Sequence, residues 1–239
     1  MARLSSVILA ALLLSAACFE APALAFQLAG ALQKAQDEKR LTPEEAAGIE
    51  SGIHEAGAQE LPQAPFEAKV EEGLAKRVPG PAIIQALKTM RGDYAFARDV
   101  LARGGTSPSP DDIAQTGESL RLGLTRQQLE EMAEIEPAAP PSMLATAART
   151  RAGLNAVGFP QSLADGILRA GLSSGFLAPG WDQLFRVVQR TRAAGLPDAA
   201  VAAAAARIMA DGGGPSELLQ ELGLTGRDTR QSPGEANKM

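Results

Sequence analysis

The chain has one cysteine, one histidine, one tryptophan and one tyrosine among 239 residues. A single cysteine excludes an internal disulfide, and with a single histidine it leaves too few soft ligands for a structural zinc site. Any Ser-His-Asp apparatus would have to use His54, and no Gly-x-Ser-x-Gly turn accompanies it. Aromatic residues make up only 4% of the chain, so the stacking platforms that sugars need are scarce. A formal charge of −5 is too mild to imply a polyanion, so no nucleic-acid partner is expected. Sustained apolar–polar alternation with β-branched enrichment is also missing, which removes support for a sheet. What remains is an ordinary apolar fraction of 45%, enough for a sizeable core and too much for wholesale disorder.

Residues 1–25 have the organisation of a secretory signal peptide. Arg3 supplies a positive start, Leu4 to Ala17 is apolar or small throughout, Pro22 breaks the helix, and Ala23-Leu24-Ala25 gives a small–x–small cleavage pattern before Phe26. The apolar stretch is short for a spanning helix, which needs about 20 residues. A lipoprotein reading through Cys18 competes less well, because Leu14 stands one place too early relative to the cysteine. After cleavage the chain has no cysteine and no later segment that resembles a membrane span. The expected address is the periplasm or the cell exterior.

Ala, Leu, Glu, Gln and Arg dominate the remainder, and these lose least on entering a helix. Helices are predicted near 27–39, 43–57, 65–77, 81–103, 110–122, 126–135, 142–157, 160–171, 180–194, 197–211 and 215–222. Helical apolar stripes run through Val70, Leu74 and Val78, through Ile83, Leu87 and Met90, and through Leu163, Ile167 and Leu168. The expected fold is all-α, built of antiparallel helix–turn–helix pairs that form a degenerate helical repeat or an irregular multi-helix bundle.

One turn recurs along the chain. Arg40-Leu41-Thr42-Pro43, Arg77-Val78-Pro79, Gly123-Leu124-Thr125, Gly158-Phe159-Pro160, Gly195-Leu196-Pro197 and Gly223-Leu224-Thr225 each join a helix stop, a bulky apolar residue, and a Thr or Pro that starts the next helix. Glycine takes the left-handed conformation that closes a helix, the apolar residue packs back on it, Thr caps the next helix and Pro suits its first turn. The structural anchors are thus Leu41, Val78, Leu124, Phe159, Leu196 and Leu224, at intervals of 37, 46, 35, 37 and 28 residues. Thr42 and Glu45 match a capping box, with Glu44 beside them at the positive end of the helix dipole.

Two Pro-rich seams, 104–110 and 136–142, interrupt the helices. An acidic region, 26–136, carries 12 bases and 19 acids; after the 137–141 linker, residues 137–239 carry 10 bases and 8 acids. The helical part of that second region is expected over 142–225, and 226–239 is expected to be a disordered tail.

Candidate chemistry is sparse. His54 reads as an ordinary helix histidine, and Glu44-Glu45, Glu71-Glu72 and Glu130-Glu131 read as solvated faces, since adjacent helix residues point about 100° apart. Gly212-Gly213-Gly214 before Pro215 lacks the strand and lysine of a phosphate cradle. The charge feature that stands out is an arginine set over 142–210, Arg149, Arg151, Arg169, Arg186, Arg190, Arg192 and Arg207, against only Asp165, Asp182 and Asp198. Arg186, Arg190 and Arg192, with Trp181 nearby, form the candidate interaction surface for an envelope protein or an anionic surface. No catalytic, cofactor-binding or metal-ligating residue is assigned. These features describe an exported, non-enzymatic interaction or scaffold module; the alternatives are a carboxylate-using cell-wall glycan hydrolase and a lipid or small-molecule carrier.

Overall fold

The computed structural model of the protein describes residues 21–224, with side chains from residue 28 onward. Most of the expected signal peptide, Cys18 included, and the expected tail at 226–239 lie outside the described residues. Among the described residues the fold is all-α, with eleven α-helices and no strand. In chain order they are α1 (Ala21–Asp37), α2 (Pro43–Ala58), α3 (Ala64–Ala75), α4 (Gly80–Leu101), α5 (Pro110–Arg121), α6 (Arg126–Ile135), α7 (Pro141–Ala156), α8 (Gln161–Ser174), α9 (Leu184–Ala193), α10 (Asp198–Ala210) and α11 (Pro215–Glu221). Each predicted helix is present. Pro22, expected to break a helix, instead lies in the first turn of α1, where the amide it lacks would have no partner. Short 3-10 turns at Ala102–Gly104 and Trp181–Gln183 take up the end of one predicted helix and the start of another.

The chain folds as two compact units. The first comprises the described residues up to Glu55 together with Ala64–Leu87. Its core is made by Leu28 and Leu32 of α1, Leu41, Ile49 and Ile53 around α2, Phe66, Val70 and Leu74 of α3, and Ile83 and Leu87 of α4, all buried. Gly48 and Gly52, one turn apart on α2, admit α4 closely. A Cβ at Gly48 would lie 2.9 Å from Ile84 Cδ1, and one at Gly52 would lie 3.2 Å from Leu87 Cδ1.

The second unit comprises Ala56–Gln63 and the residues from Lys88 onward. Its centre is α7, buried along nearly its whole length through Met143, Leu144, Ala145, Ala147, Ala148, Ala152 and Leu154. The helices α5, α6, α8 and α9 all pack against this one helix, whose many alanines allow close approach and whose exposed positions narrow to Ser142, Arg149 and Ala156. The helices α8 and α10 form the other large contact, where a Cβ at Gly171 would lie 3.0 Å from Met209 Sδ and Ser174 Oγ donates to Met209 O at 3.0 Å. Tyr94 on α4 is wholly buried, and a Cβ at Gly117 of α5 would collide with its ring; its hydroxyl donates to Glu118 Oε1 at 2.8 Å. The Pro-rich seam at 137–141 lies inside this unit, and α5 and α7 on either side of it pack together.

The recurring turn has one backbone design. At Val78, Leu124, Phe159, Leu196 and Leu224 the amide N–H of the apolar anchor donates to the carbonyl five residues earlier, at 2.7–3.0 Å. That bond, with a left-handed residue just before the anchor, is the Schellman helix ending. Arg77, Gly123, Gly158, Gly195 and Gly223 supply the left-handed residue. At the first turn the left-handed residue is Lys39 and the five-residue bond is made by Arg40, so Leu41 stands one place further on. A seventh member, Glu60-Leu61-Pro62, has the same geometry: Glu60 has φ 57° and Leu61 N–H donates to Ala56 O at 3.0 Å. It divides the interval from Leu41 to Val78 into 20 and 17 residues.

Leu41, Leu124 and Phe159 are buried, whereas Val78, Leu196 and Leu224 are only half-buried. Thr42 and Thr125 cap as expected: Thr42 Oγ1 accepts from Glu45 N–H at 3.2 Å and Thr125 Oγ1 accepts from Gln128 N–H at 3.1 Å, each with the reciprocal bond of a capping box. Pro160 and Pro197, expected in the first helical turn, instead occupy the residue before it. There an extended ψ suits proline and its carbonyl accepts the first helical bonds.

Candidate functional site

The arginine set is mostly turned to internal work. Each of the three acids counted against it is paired: Arg149 Nε with Asp182 at 3.1 Å, Arg151 Nη1 with Asp165, and Arg192 with Asp198. Arg207 on α10 pairs with Glu221 on α11. Arg192 is the most committed. Its Nη1 donates to Val157 O at 2.6 Å and its Nη2 to Gly158 O at 3.2 Å, so a cation satisfies the last carbonyls of α7. The same guanidinium holds Asp198, in the first turn of α10, through Nε at 2.8 Å and Nη2 at 2.7 Å. These hydrogen bonds hold the Asp198 carboxyl below its ordinary value and Arg192 above its own.

Arginines cap helix ends elsewhere too. Arg40 Nη1 donates to Leu74 O at the end of α3, and Arg98 Nη1 donates to Gln59 O just past α2. Of the three expected interaction arginines, only Arg186 is exposed without a carboxylate partner among the described residues; its Cζ lies 5.7 Å from the Phe185 ring centroid. Arg190 is half-buried and is not free.

Trp181 is wholly buried, so it belongs to the core and meets the surface only through a groove. That groove, about 280 Å³, runs between α9 and α11. Its walls are Leu184 and Val187 of α9 and Pro215, Leu218 and Leu219 of α11, with Trp181 beneath and Arg186 at the rim. The Trp181 indole N–H is buried without a hydrogen-bond partner. Of the residues expected at an interaction surface, Arg186 is exposed and borders an apolar groove that the sequence did not signal.

The carboxylate pairs stay on solvated faces. Glu45 caps α2; Glu72 binds Lys69 and Lys76, which pull its carboxyl down to about 2; and Glu130 pairs with Arg103 at 3.0 Å. His54 is exposed on α2. Among the described residues no three His, Cys, Asp or Glu side chains stand together as a metal site. A second concavity, about 370 Å³, opens between α6, α7 and α8 and gathers Glu131, Glu134, Asp165, Arg151 and Arg169, but no aromatic side chain lines it. These residues come from three helices, and nothing in their local sequence marks them as neighbours. No helix of the described residues is long and apolar enough to cross a membrane. No family model, curated protein or solved structure matches this chain.

Proposed function

We propose that the protein is an exported, non-enzymatic interaction module of the bacterial envelope, docking a partner protein at the groove between α9 and α11. The observation that carries this reading is the groove itself, apolar on both walls and bordered by an exposed arginine while most neighbouring arginines are held by internal acids. Such a site takes a segment that presents a bulky apolar side chain to the groove and an acidic one to Arg186. Export rests on the apolar stretch Leu4 to Ala17 and the Ala23-Leu24-Ala25 pattern. Cleavage after Ala25 would spare the buried residues Leu28, Leu32 and Ala35, by which α1 packs.

A photo-crosslinker placed at position 183, which lines the groove and leaves Arg186 in place, is exposed to envelope extract to test the docking face. A single protein adduct that disappears on Leu219→Asp is the expected result; adducts unaffected by that change would overturn the groove as the docking site. N-terminal sequencing of the exported protein tests the address, with Phe26 expected as the first residue and an intact Met1 counting against export. A glycan hydrolase is the weaker reading, because the cleft that gathers carboxylates has no aromatic wall on which a sugar ring would stack.

A further inference from the structure

The cleft between α6, α7 and α8 has an unusual floor. Arg151 is 3% exposed, yet its one carboxylate partner among the described residues, Asp165, is 59% exposed. Its Nε–H is buried without any partner. A buried guanidinium so weakly compensated is costly, because a cation removed from water needs its donors satisfied. It lines an open cleft, not a sealed core.

The charges around it alternate in sign. Arg169 stands one turn beyond Asp165 on the α8 wall, and Glu131 and Glu134 face it from α6. Met132 and Leu168, both buried, give the cleft apolar patches on opposite walls. A simple anion entering this space would meet three carboxylates, and a simple cation would meet two guanidiniums, so each is opposed by like charge. A ligand carrying both signs meets neither penalty.

We infer that this cleft binds a small zwitterion with an apolar body, such as a free amino acid or short peptide. Its carboxylate lies against Arg151 and Arg169, its ammonium against Glu131 and Glu134, and its side chain against Met132 and Leu168. The site is independent of the groove between α9 and α11, so either can fail without the other.

The test titrates the full chain with L-leucine and with leucyl-leucine by calorimetry, alongside 4-methylpentanoate, which lacks the ammonium, and 3-methylbutylamine, which lacks the carboxylate. At least one of the two zwitterions binds saturably, and each singly charged analogue binds at least about tenfold more weakly, the effect of losing a charged hydrogen bond. The exposed-rim variants Arg169→Gln and Glu134→Gln each weaken binding about tenfold while leaving the melting temperature of the free protein unchanged. Absence of saturable binding at concentrations on the order of 10 mM, analogues that bind as tightly as the zwitterions, or rim variants with unaltered affinity would overturn the assignment.

Discussion

Helices that end before residue 80 and helices that end after residue 120 obey one backbone rule with different residues. In the earlier stretch the left-handed position is filled by Lys39, Glu60 and Arg77, with φ of 56–57°. In the later stretch glycine takes it, at Gly123, Gly158, Gly195 and Gly223. The hydrogen bond that follows is equally short in both. The geometry is therefore imposed by the need to satisfy the last carbonyls and bring an apolar residue back onto the helix, and glycine is only the least strained way to reach it. A left-handed residue bearing a Cβ costs about 1 kcal/mol, which the earlier turns sustain and the later ones avoid.

The largest effect expected from breaking this design is at a buried anchor. Phe159→Asp places a carboxylate in the core of the second unit and costs at least about 3 kcal/mol, a large fraction of a typical folding stability. Leu196→Asp, at an equivalent but half-buried anchor, costs about 1–2 kcal/mol and leaves a melt. Trp181 fluorescence follows both, and equal losses would show that anchor burial does not matter.

High pH reports on the second unit through Tyr94, the chain's one tyrosine, which lies there. Burial, and the Glu118 carboxylate beside its hydroxyl, push the Tyr94 phenol above its ordinary value. The unfolded chain loses that proton first. Stability is thus intact below about pH 10 and falls as pH rises further, by up to about 1.4 kcal/mol per pH unit. Tyrosinate absorbance is expected to appear only together with loss of helical circular dichroism. Ionisation ahead of unfolding would contradict the buried pairing, and Tyr94→Phe should flatten the alkaline limb.

Smaller effects test the turns directly. Gly158→Ala meets no atom within 4 Å, so its cost is purely conformational and about 1 kcal/mol. Arg77→Gly runs the comparison in reverse and is expected to raise stability by about 0.5 kcal/mol, the released strain being offset in part by glycine's freedom in the unfolded chain. Chemical denaturation measures both. A destabilising Arg77→Gly would mean that the arginine makes up for its backbone strain through contacts of its own.

The same contrast explains which turns are readable in the sequence. Those at Gly123, Gly158, Gly195 and Gly223 announce themselves because glycine, an apolar residue and a helix starter stand together. Glu60-Leu61-Pro62 gives no such sign, because nothing in glutamate signals a left-handed backbone, and Lys39 shifts the apparent stop at Arg40 by one residue. The placement of the residues expected at an interaction surface is legible in part. Arg186 stays exposed, but Trp181 is core and Arg192 is spent on carbonyls 34 and 35 residues away. No local pattern could reveal those partners, since they are set by which helix ends the fold brings beside α9.

Local sequence sets the class of fold, the approximate positions of the eleven described helices, the threonine caps and the turns that use glycine. Those follow from interactions within a turn or two: backbone propensity, capping hydroxyls, and the left-handed glycine that ends many of the helices. Tertiary packing sets the rest: α7 is the central helix of its unit, Asp165, Asp182 and Asp198 each pair with an arginine, and Arg151 lies beneath a mixed-charge cleft. Burial and pairing depend on distances between helices remote in sequence, and an α7 rich in alanine carries no mark of which neighbours will surround it.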